Sequence, residues 1–494
     1  MQNGTLLAAV DLGSNSFRLE VGRYDSGQIH RTDYLKETVR QGNGLDEARN
    51  LTPEAMQRGW DCLARFGERL AGFRKTQVRA VATQTLREAR NRDTFLAGAQ
   101  QALGFPIDVI SGREEARLIY QGVAHLLPQS DERRLVVDIG GRSTELILGR
   151  QYDARAVESL RVGSVAWSMH YFAEGQFTEA AFNRAQVAAK AVLEEAATAF
   201  SPAHWDVAYG SSGTIGAVGD VLTAAGWPEG EVKREGLDWL LKQLLAARSA
   251  DRLRMDNLKD DRRPVIGGGL SVLLAVFDLL QIGTLHAAQG ALRHGVLYDL
   301  LDREQGATDI RSGTVQRLAS KFGVDEAQGR RVAQVACQLL RQLRAGDSKD
   351  ELARMERKLT WAAHLHEIGC RISHSDYHKH GAYILDNADA AGFSQPELHR
   401  LSLLVLGQRG KLRKLEADFE DAVFVQQLVS LRLAVILCHA RLDPDLRGLQ
   451  LRCEDHEIRL PLRGDWAARF PQSAHLLREE VAAWQKTPWA LVLD

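Results

Sequence analysis

Two short segments of the chain carry the residue types that bind phosphate and a divalent cation. They are Asp11-Leu12-Gly13-Ser14-Asn15-Ser16 and Asp138-Ile139-Gly140-Gly141-Arg142-Ser143-Thr144-Glu145. Glycine lets backbone N–H groups approach phosphate oxygens closely, and the hydroxyl and amide side chains donate further hydrogen bonds. Carboxylates are hard oxygen ligands that suit Mg²⁺. The pattern predicts a site for a phosphate chain and Mg²⁺, with Asp11 and Asp138 as metal ligands.

The two segments are copies of one unit. Residues 10–23 align without gaps with residues 137–150, at an offset of 138 − 11 = 127 positions. In each copy an apolar run, a Gly/Ser turn and a second apolar run indicate two strands joined by a tight turn. We interpret the copies as two lobes that grip one phosphate chain from both sides. Arg18 is the counterpart of Glu145, so the second lobe is expected to specialise in metal binding, with Asp138 and Glu145 together.

Three further segments could complete such a site. Arg87 follows the predicted strand Val78–Ala82, where a guanidinium suits a phosphate group. Ser111 is a plausible N-cap with Glu114 in a capping box, which leaves the neighbouring Glu115 without a capping role. The third segment has the strand, turn and helix order of an anion site and reads Gly210-Ser211-Ser212-Gly213-Thr214.

Bulk properties exclude several classes of protein. The chain has 494 residues, a net charge of −1 and 45% apolar residues, so no global charge draws it to nucleic acid or an anionic membrane. Five scattered cysteines, with no Cys-x-x-Cys pair, indicate a reducing cytosol. There is no signal-peptide pattern, and the apolar runs are shorter than the ~20 residues of a membrane span. We expect a cytoplasmic protein without stable membrane insertion.

The elements around the motifs predict an α/β protein followed by a helical region. Strands mixed with helices such as Pro53–Phe73 fill the first 300 or so residues, as an α/β fold requires. The polar stretch Asp302–Gly306 is a plausible linker, and the chain beyond it has helical spacing. The tail from Leu449 combines a short alternating segment with a final helix.

The motifs described above, taken together and in their order along the chain, resemble the exopolyphosphatase and guanosine pentaphosphate phosphohydrolase family. The segment Trp361–Gly369 of the helical region also fits the pattern of this family. The resemblance implies the fold shared by actin, sugar kinases and heat-shock chaperones. We therefore expect an α/β fold of two duplicated actin-like (ribonuclease H-like) lobes, then an all-α HD-like domain and a small C-terminal segment. The expected ranges are 1–126 for lobe I, 127–301 for lobe II and 307–494 for the remainder. The family also implies a homodimer.

The resemblance assigns roles to the candidate residues. Glu115 matches the general base, and Asp138 and Glu145 match metal-binding carboxylates, which Asp11 joins as a third Mg²⁺ ligand. The phosphate contacts that it implies are Gly13, Ser14, Asn15, Ser16, Arg87, Gly140, Gly141, Arg142, Ser143, Thr144, Gly210, Ser212, Gly213 and Thr214.

Two departures from the family pattern stand out. Arg142 occupies a place usually held by a small residue, where it either adds a phosphate contact or crowds the loop. In the helical domain His366-Glu367 replaces the metal-binding His-Asp pair of HD phosphohydrolases. We therefore expect that domain to be a substrate-binding platform and not a second catalytic site. Its histidines are typical of a basic helical surface with some core positions, and its basic stretch Arg409–Lys414 either extends a polyanion path or forms a solvated loop.

The substrate is left open between two polyanions. Inorganic polyphosphate and guanosine pentaphosphate (pppGpp) are both multiply charged phosphate chains. Because the sequence has no strong base-recognition signal, we favour release of terminal orthophosphate from polyphosphate. One alternative is an enzyme that converts pppGpp to ppGpp, and another is a protein that binds polyphosphate or pppGpp without catalysis. A kinase of the same fold is a further rival, but it would need a second substrate to accept the phosphate.

Overall fold

The computed structural model describes residues 2–304, 309–447, 449–454, 456–462 and 464–493. The chain forms two compact units, Met1–Asp309 and Ile310–Asp494. The first is the α/β part and the second is mainly helical, as the sequence predicts. Within the predicted linker, residues 302–304 are the end of a helix, while residues 305 and 306 lie outside the described residues.

Lobe I is built on a five-stranded sheet with strand order β3-β2-β1-β4-β5. Strands β1 to β3 are antiparallel, while β4 and β5 continue the sheet in parallel with β1. The strands are β1 Leu6–Leu12, β2 Phe17–Asp25, β3 Gln28–Glu37, β4 Val78–Ala82 and β5 Ile107–Val109. Strand β1 is buried along nearly its whole length, because its neighbours and helices cover both faces.

Lobe II repeats this topology and adds one edge strand. Its order is β10-β11-β9-β6-β7-β8, so β8-β7-β6-β9-β11 corresponds to β3-β2-β1-β4-β5. The strands are β6 Arg133–Ile139, β7 Thr144–Arg150, β8 Asp153–Leu160, β9 Val207–Ser211, β10 Glu231–Lys233 and β11 Thr284–Ala287. The duplication that the motifs indicate therefore extends over a whole sheet.

Even an irregularity of the sheet is duplicated. The register shifts between Val21 and Gly22 in lobe I and between Leu148 and Gly149 in lobe II, and 149 − 22 = 127, the offset of the repeat. A Cβ on Gly22 would lie 2.3 Å from Ile29, and one on Gly149 would lie 2.1 Å from the ring of Tyr120. Both copies therefore keep glycine because a neighbouring side chain occupies the space that a Cβ would need.

Ten helices of this unit are described, and they cover the two sheets. They are α1 Pro53–Arg69, α2 Gln84–Glu88, α3 Arg92–Leu103, α4 Gly112–Leu126, α5 Ser164–Tyr171, α6 Glu179–Ala197, α7 Ser212–Ala224, α8 Arg234–Ala247, α9 Ile266–Leu280 and α10 Leu292–Glu304. Helix α1 ends four residues before the predicted Phe73, since Gly72 adopts a left-handed conformation with φ of 89°. Helix α10 follows lobe II in the chain, but it packs on α4 and β1 of lobe I.

A buried ion network fixes α4, the helix that carries Glu115. Asp299 on α10 binds Arg79 of β4 and, at 2.5 Å, Arg117 of α4. Arg117 Nε also binds Glu114 at 2.8 Å. Although burial acts in the opposite direction, Arg79, Arg303 and Arg117 hold the pKa of Asp299 well below its usual range. The ionised carboxylate therefore joins α10, β4 and α4.

Helix α9 is the central apolar helix of lobe II. With the preceding turn it forms the segment Arg263–Leu280, whose 18 residues have a mean hydropathy of 1.6. By length and composition alone this segment qualifies as a membrane span, but 72% of it is buried in the fold, where α9 packs against α5 and α6. Its apolar character is thus accounted for by the core of lobe II.

The second unit is a helical bundle with a small sheet. Its helices are α11 Ile310–Lys321, α12 Glu326–Leu343, α13 Lys349–Leu365, α14 Tyr377–Asp386, α15 Gln395–Gly407, α16 Ala422–Leu437, α17 Trp466–Arg469 and α18 Pro471–Trp484. Its strands are β12 Arg452–Glu454, β13 Glu457–Leu460 and β14 Ala490–Leu493. The tail does not end on the predicted helix, since β14 follows α18 and pairs in parallel with β13.

The packing at Gly149 leads to a stability prediction. We expect Gly149→Ala to destabilise the protein by about 1–3 kcal/mol, because the added methyl group overlaps the rigid ring of Tyr120. Gly219→Ala is the matched control, since a Cβ on Gly219 meets no atom within 4 Å in α7. The control should be neutral or stabilising by up to about 1 kcal/mol. Urea denaturation measures both, and equal stability of the two variants would contradict the prediction.

Candidate functional site

Each lobe presents one strand-turn-strand hairpin with the same geometry. Across the hairpin Asp11 pairs in register with Arg18 in lobe I, and Asp138 pairs with Glu145 in lobe II. A Cβ on Gly13 would lie 2.9 Å from the Ser16 carbonyl oxygen, and Gly140 has the equivalent contact at 3.1 Å. The turn in lobe I thus has no space for a Cβ at Gly13, and the turn in lobe II has little at Gly140. The sequence prediction of two equivalent turns is accurate in structure as well as in spacing.

The two hairpins face one cleft of about 340 Å³ in the first unit. The candidate residues that line it are Asp11, Gly13, Ser14, Asn15, Ser16, Glu115, Asp138, Gly140, Gly141, Ser143, Ser212, Gly213 and Thr214. They come from β1, β6, α4, α7 and the turns between strands. Residues far apart in the chain therefore converge on one polar cleft, as a bound phosphate chain requires.

Five candidate residues stand behind this surface: Arg87, Arg142, Thr144, Glu145 and Gly210. Thr144 Oγ1 donates to the Val162 carbonyl at 2.6 Å, and a Cβ on Gly210 would overlap Ile215. These two residues support the turns through packing and do not present donors to the cleft.

Carboxylates from both lobes are concentrated at the cleft and directly behind its surface. Burial, together with the charges of Glu115 and Asp11, raises the pKa of Asp138 to about 7. Burial also raises the pKa of Glu145 well above its usual value, with Glu115 and Asp138 acting in the same direction. Like charges that are desolvated together disfavour ionisation, so this arrangement favours binding of a cation.

The donor set fits a magnesium ion that takes few ligands from the protein. Asp11 Oδ2 accepts from Arg18 at 3.2 Å, but Asp11 Oδ1 is buried without a hydrogen-bond partner. Across the described ranges, no group of three or more His, Cys, Asp or Glu side chains forms a ready metal cage. Mg²⁺ is usually held by one or two carboxylates together with waters and substrate phosphates. Asp11 and Asp138 at the surface of the cleft, with Glu145 behind them, would suffice to hold it.

Glu115 occupies the first turn of α4 and points toward the cleft. Ser111 Oγ accepts from the Glu114 amide at 3.1 Å, so the predicted N-cap is present. Arg87 Nη1 donates to Glu115 Oε2 at 2.7 Å, and also to the Ile110 carbonyl at 2.9 Å. Burial raises the pKa of Glu115, while Arg87 opposes that rise. Arg87 is therefore engaged with Glu115, whereas the sequence analysis assigned it to phosphate.

The turn from β9 to α7 is strained where it meets the cleft. Ser212 is a non-glycine residue with φ of 90°, a conformation that costs on the order of 1–3 kcal/mol. Its Oγ donates to the Ile139 carbonyl at 2.9 Å, which ties this turn to the second hairpin. The N-terminus of α7 lies at the cleft, where Gly213 and Thr214 form a helix end of the kind that suits an anion.

Arg262 is a site residue that the sequence analysis missed. A Cβ on Gly213 would lie 2.1 Å from Arg262 Nη2, so the guanidinium covers the N-terminus of α7. The residue is 9% exposed, and it forms no ion pair with any residue the structure describes. Burial and the nearby Arg18 lower its pKa. A buried cation beside another cation and a helix N-terminus indicates an anion-binding position.

Other cations extend this character along the cleft. Lys36, Lys259 and Arg293 also line it, and Lys36 Nζ binds Asp261 Oδ2 at 2.8 Å, which joins β3 of lobe I to a loop of lobe II. The only sequence signal was the charged run from Lys259 to Arg263, which resembles any solvated loop.

In the helical unit the predicted HD-like positions are engaged with protein groups. His366 is buried and its Nδ1 lies 2.6 Å from the Ala363 carbonyl oxygen. Glu367 Oε1 accepts from Arg441 at 2.7 Å. These contacts give both side chains a structural role within the bundle.

The duplicated sheets and the cleft between their hairpins define the class of protein: two actin-like lobes with a polar cleft suited to a phosphate chain. Comparisons with known proteins narrow this class. Residues 21–304 match the Ppx/GppA phosphatase family, and residues 310–481 match domain III of Ppx/GppA phosphatases. The chain belongs to the Ppx/GppA phosphatase family.

Full-length relatives share more than a third of their residues with the chain. A guanosine-5'-triphosphate,3'-diphosphate pyrophosphatase of Pseudoalteromonas translucida is 38% identical over 99% of this chain and 98% of its own. A protein of the same name from Vibrio atlanticus is 39% identical with the same coverage.

Solved structures share the fold. An Aquifex aeolicus member of the Ppx/GppA family is 24% identical with a TM-score of 0.51, and it covers 60% of this chain and 98% of its own. An exopolyphosphatase from Cytophaga hutchinsonii is 23% identical with a TM-score of 0.55 and the same coverage.

Arg262 supports a prediction about anion binding. Arg262→Met should raise KM for a phosphate-chain substrate on the order of 10-fold, since charge-assisted hydrogen bonds are worth about 1.5–3 kcal/mol. Arg263→Met is the control, because the adjacent arginine pairs with Asp260 at 2.9 Å and does not line the cleft. Steady-state kinetics measure both variants, and an equal KM in both would exclude Arg262 from substrate binding.

Proposed function

We propose that the protein hydrolyses guanosine 5'-triphosphate 3'-diphosphate to guanosine 5'-diphosphate 3'-diphosphate and orthophosphate. The observation that carries the proposal is the similarity of 37–39% identity, over 99% of the chain, to relatives that bear this activity in their name. The cleft supports it, because two phosphate-binding hairpins flank the candidate base Glu115. Both kinds of support concern the same terminal phosphoryl group.

The reaction is an in-line displacement by water. The water oxygen forms a bond to the terminal phosphorus while the bond from that phosphorus to the bridging oxygen breaks. Glu115 accepts the proton of the water, and Arg87, which holds Oε2 at 2.7 Å, orients the carboxylate. The leaving nucleotide keeps the bridging oxygen and its negative charge.

The rest of the cleft stabilises charge on the phosphate chain. Backbone N–H groups of the two turns and the N-terminus of α7 surround the equatorial oxygens, with Arg262 as a further cation. Mg²⁺, which Asp11, Asp138 and Glu145 would hold, supplies positive charge to the phosphate oxygens when bound. Because these groups are already oriented, little reorganisation is needed during the reaction.

Inorganic polyphosphate is the second candidate substrate. The family includes exopolyphosphatases, and a polar cleft that binds phosphate through backbone amides does not itself distinguish the two chains. The relatives at 37–39% identity favour the nucleotide over the polyphosphate substrate that the sequence analysis preferred. A homodimer and a cytoplasmic location stay predictions of the sequence.

Replacing the base tests the mechanism. Glu115→Gln should lower kcat by about 10²–10⁴-fold, because the amide cannot accept a proton from water. Substrate affinity should change little, since Glu115 is not a phosphate donor. Phosphate release under single-turnover conditions, with Mg²⁺ and with EDTA, measures the first effect, and calorimetric binding measures the second. Wild-type turnover in the variant would assign the base to another residue.

The ratio of the kcat/KM values for the two candidate substrates tests which of them the enzyme prefers. We expect kcat/KM for guanosine pentaphosphate to exceed that for long-chain polyphosphate, when both are measured by phosphate release at equal ionic strength. The ionic strength is fixed because both substrates are polyanions whose binding is screened by salt. The reverse order would support the exopolyphosphatase alternative instead.

A further inference from the structure

Arg142 joins the two lobes beside the cleft. It belongs to the turn of the lobe II hairpin, yet its guanidinium reaches lobe I. Nη2 and Nε donate to Glu88 Oε2 at 2.8 and 3.1 Å, and Nη1 donates to the Gly42 carbonyl at 3.2 Å. The side chain is 20% exposed, so these bonds are largely shielded from water. These contacts with lobe I therefore hold the Arg142 guanidinium outside the cleft.

From Glu88 a continuous series of hydrogen bonds leads to the base. Gln84 Nε2 donates to Glu88 Oε1 at 2.7 Å. Gln84 Oε1 accepts from Arg87 Nε at 2.9 Å and from Arg87 Nη2 at 2.6 Å. Arg87 Nη1 then donates to Glu115 Oε2 at 2.7 Å. This series of hydrogen bonds, the Arg142 relay, connects the lobe II hairpin to the base of lobe I. Its members in order are Arg142, Glu88, Gln84, Arg87 and Glu115.

Each member of the relay fixes the orientation of the next. If the Gln84 amide were reversed, its NH₂ group would face the donors of Arg87 and its oxygen would face the Glu88 carboxylate. Glu88 therefore selects the amide orientation that presents an acceptor to Arg87. That acceptor occupies one edge of the guanidinium and leaves Nη1 for Glu115. Without Glu88 held in place, the Gln84 amide would lose the contact that fixes its orientation toward Arg87.

We propose that Arg142 is a positioning residue that orients the base Glu115 through Glu88, Gln84 and Arg87. This inference rests on the proposed function, since it takes Glu115 as the base. The relay crosses from lobe II to lobe I, so it couples the orientation of Glu115 to the contact between the two hairpins.

This role differs from the two expected from the sequence. A direct phosphate contact would leave the Arg142 guanidinium in the cleft, but Arg142 does not line it. Crowding of the loop would distort the turn, but its tip is closed by the Ser164 and Val165 amides, which donate to the Gly140 and Gly141 carbonyls at 2.9 and 2.8 Å. The larger side chain is accommodated because it extends toward Glu88.

The test compares four variants with the wild type: Arg142→Met, Gln84→Met, their double variant and Arg113→Met. Methionine removes the hydrogen bonds at similar length. Arg113 is the matched control, because its Nη2 binds Glu158 of β8 at 2.7 Å and so also joins the lobes, but outside the relay. Phosphate release from guanosine pentaphosphate and from polyphosphate gives kcat and KM, and thermal unfolding reports whether each variant is folded.

We expect each relay variant to lower kcat on the order of 10- to 100-fold with KM unchanged, as a misplaced catalytic group does. The double variant should lose no more than the worse single variant, because both break the same series of bonds. Arg113→Met should keep wild-type kcat and KM. Wild-type kcat in folded Arg142→Met or Gln84→Met, additive losses, or an equal loss in Arg113→Met would each overturn the relay.

Measuring Glu115→Gln in the same assays distinguishes a failure of the base assignment from a failure of the Arg142 relay. If it turns over normally, the base assignment of the proposed function fails. If it is inactive while Arg142→Met is normal, only the relay fails. In the Glu115→Gln background, Arg142→Met should cause no further loss of kcat, and a further loss would show that Arg142 acts by another route.

Discussion

The structure of the first unit depends on bringing four carboxylates together in a buried cleft. Asp11, Glu115, Asp138 and Glu145 repel one another, and burial adds to that cost. In lobe I arginines compensate these negative charges, since Arg18 pairs with Asp11 and Arg87 pairs with Glu115. In lobe II no basic side chain of the described chain pairs with Asp138 or Glu145. This asymmetry is the reason for placing the proposed Mg²⁺ on the side of lobe II.

A single substitution in a duplicated hairpin accounts for that asymmetry. The position opposite the aspartate is Arg18 in one copy and Glu145 in the other, on the same strand and in the same register. With arginine the hairpin is neutralised from within, whereas with glutamate it lacks a cation that a metal ion can supply. Two equal lobes thus became one that holds the base and one suited to hold metal.

The sequence predicted the features that depend on a local pattern of residues. It did not predict the features that depend on contacts between side chains far apart in the chain. The offset of 127 residues predicted both hairpins, and the motifs predicted the place of Glu115 and of the turn before α7. The docking of α10 on lobe I, Arg262 over Gly213 and the contact of Arg142 with Glu88 involve pairs 49 to more than 200 residues apart. Their residue types resemble ordinary surface charges, so no spacing in the chain could reveal them.

The relatives favour the alternative substrate over the one preferred from the sequence, and the reason is related. Backbone amides and an arginine recognise phosphate groups, and they bind the same groups in polyphosphate and in a nucleotide. The motifs are built from such donors, so they carry information about the reacting group and little about the rest of the substrate. Side chains that the motifs do not include, such as Tyr34, Lys36 and Arg293, also line the cleft. These side chains belong to β3 and to the start of α10, which packs on lobe I, so the lobe that holds the base also lines the cleft with groups other than the phosphate-binding turns.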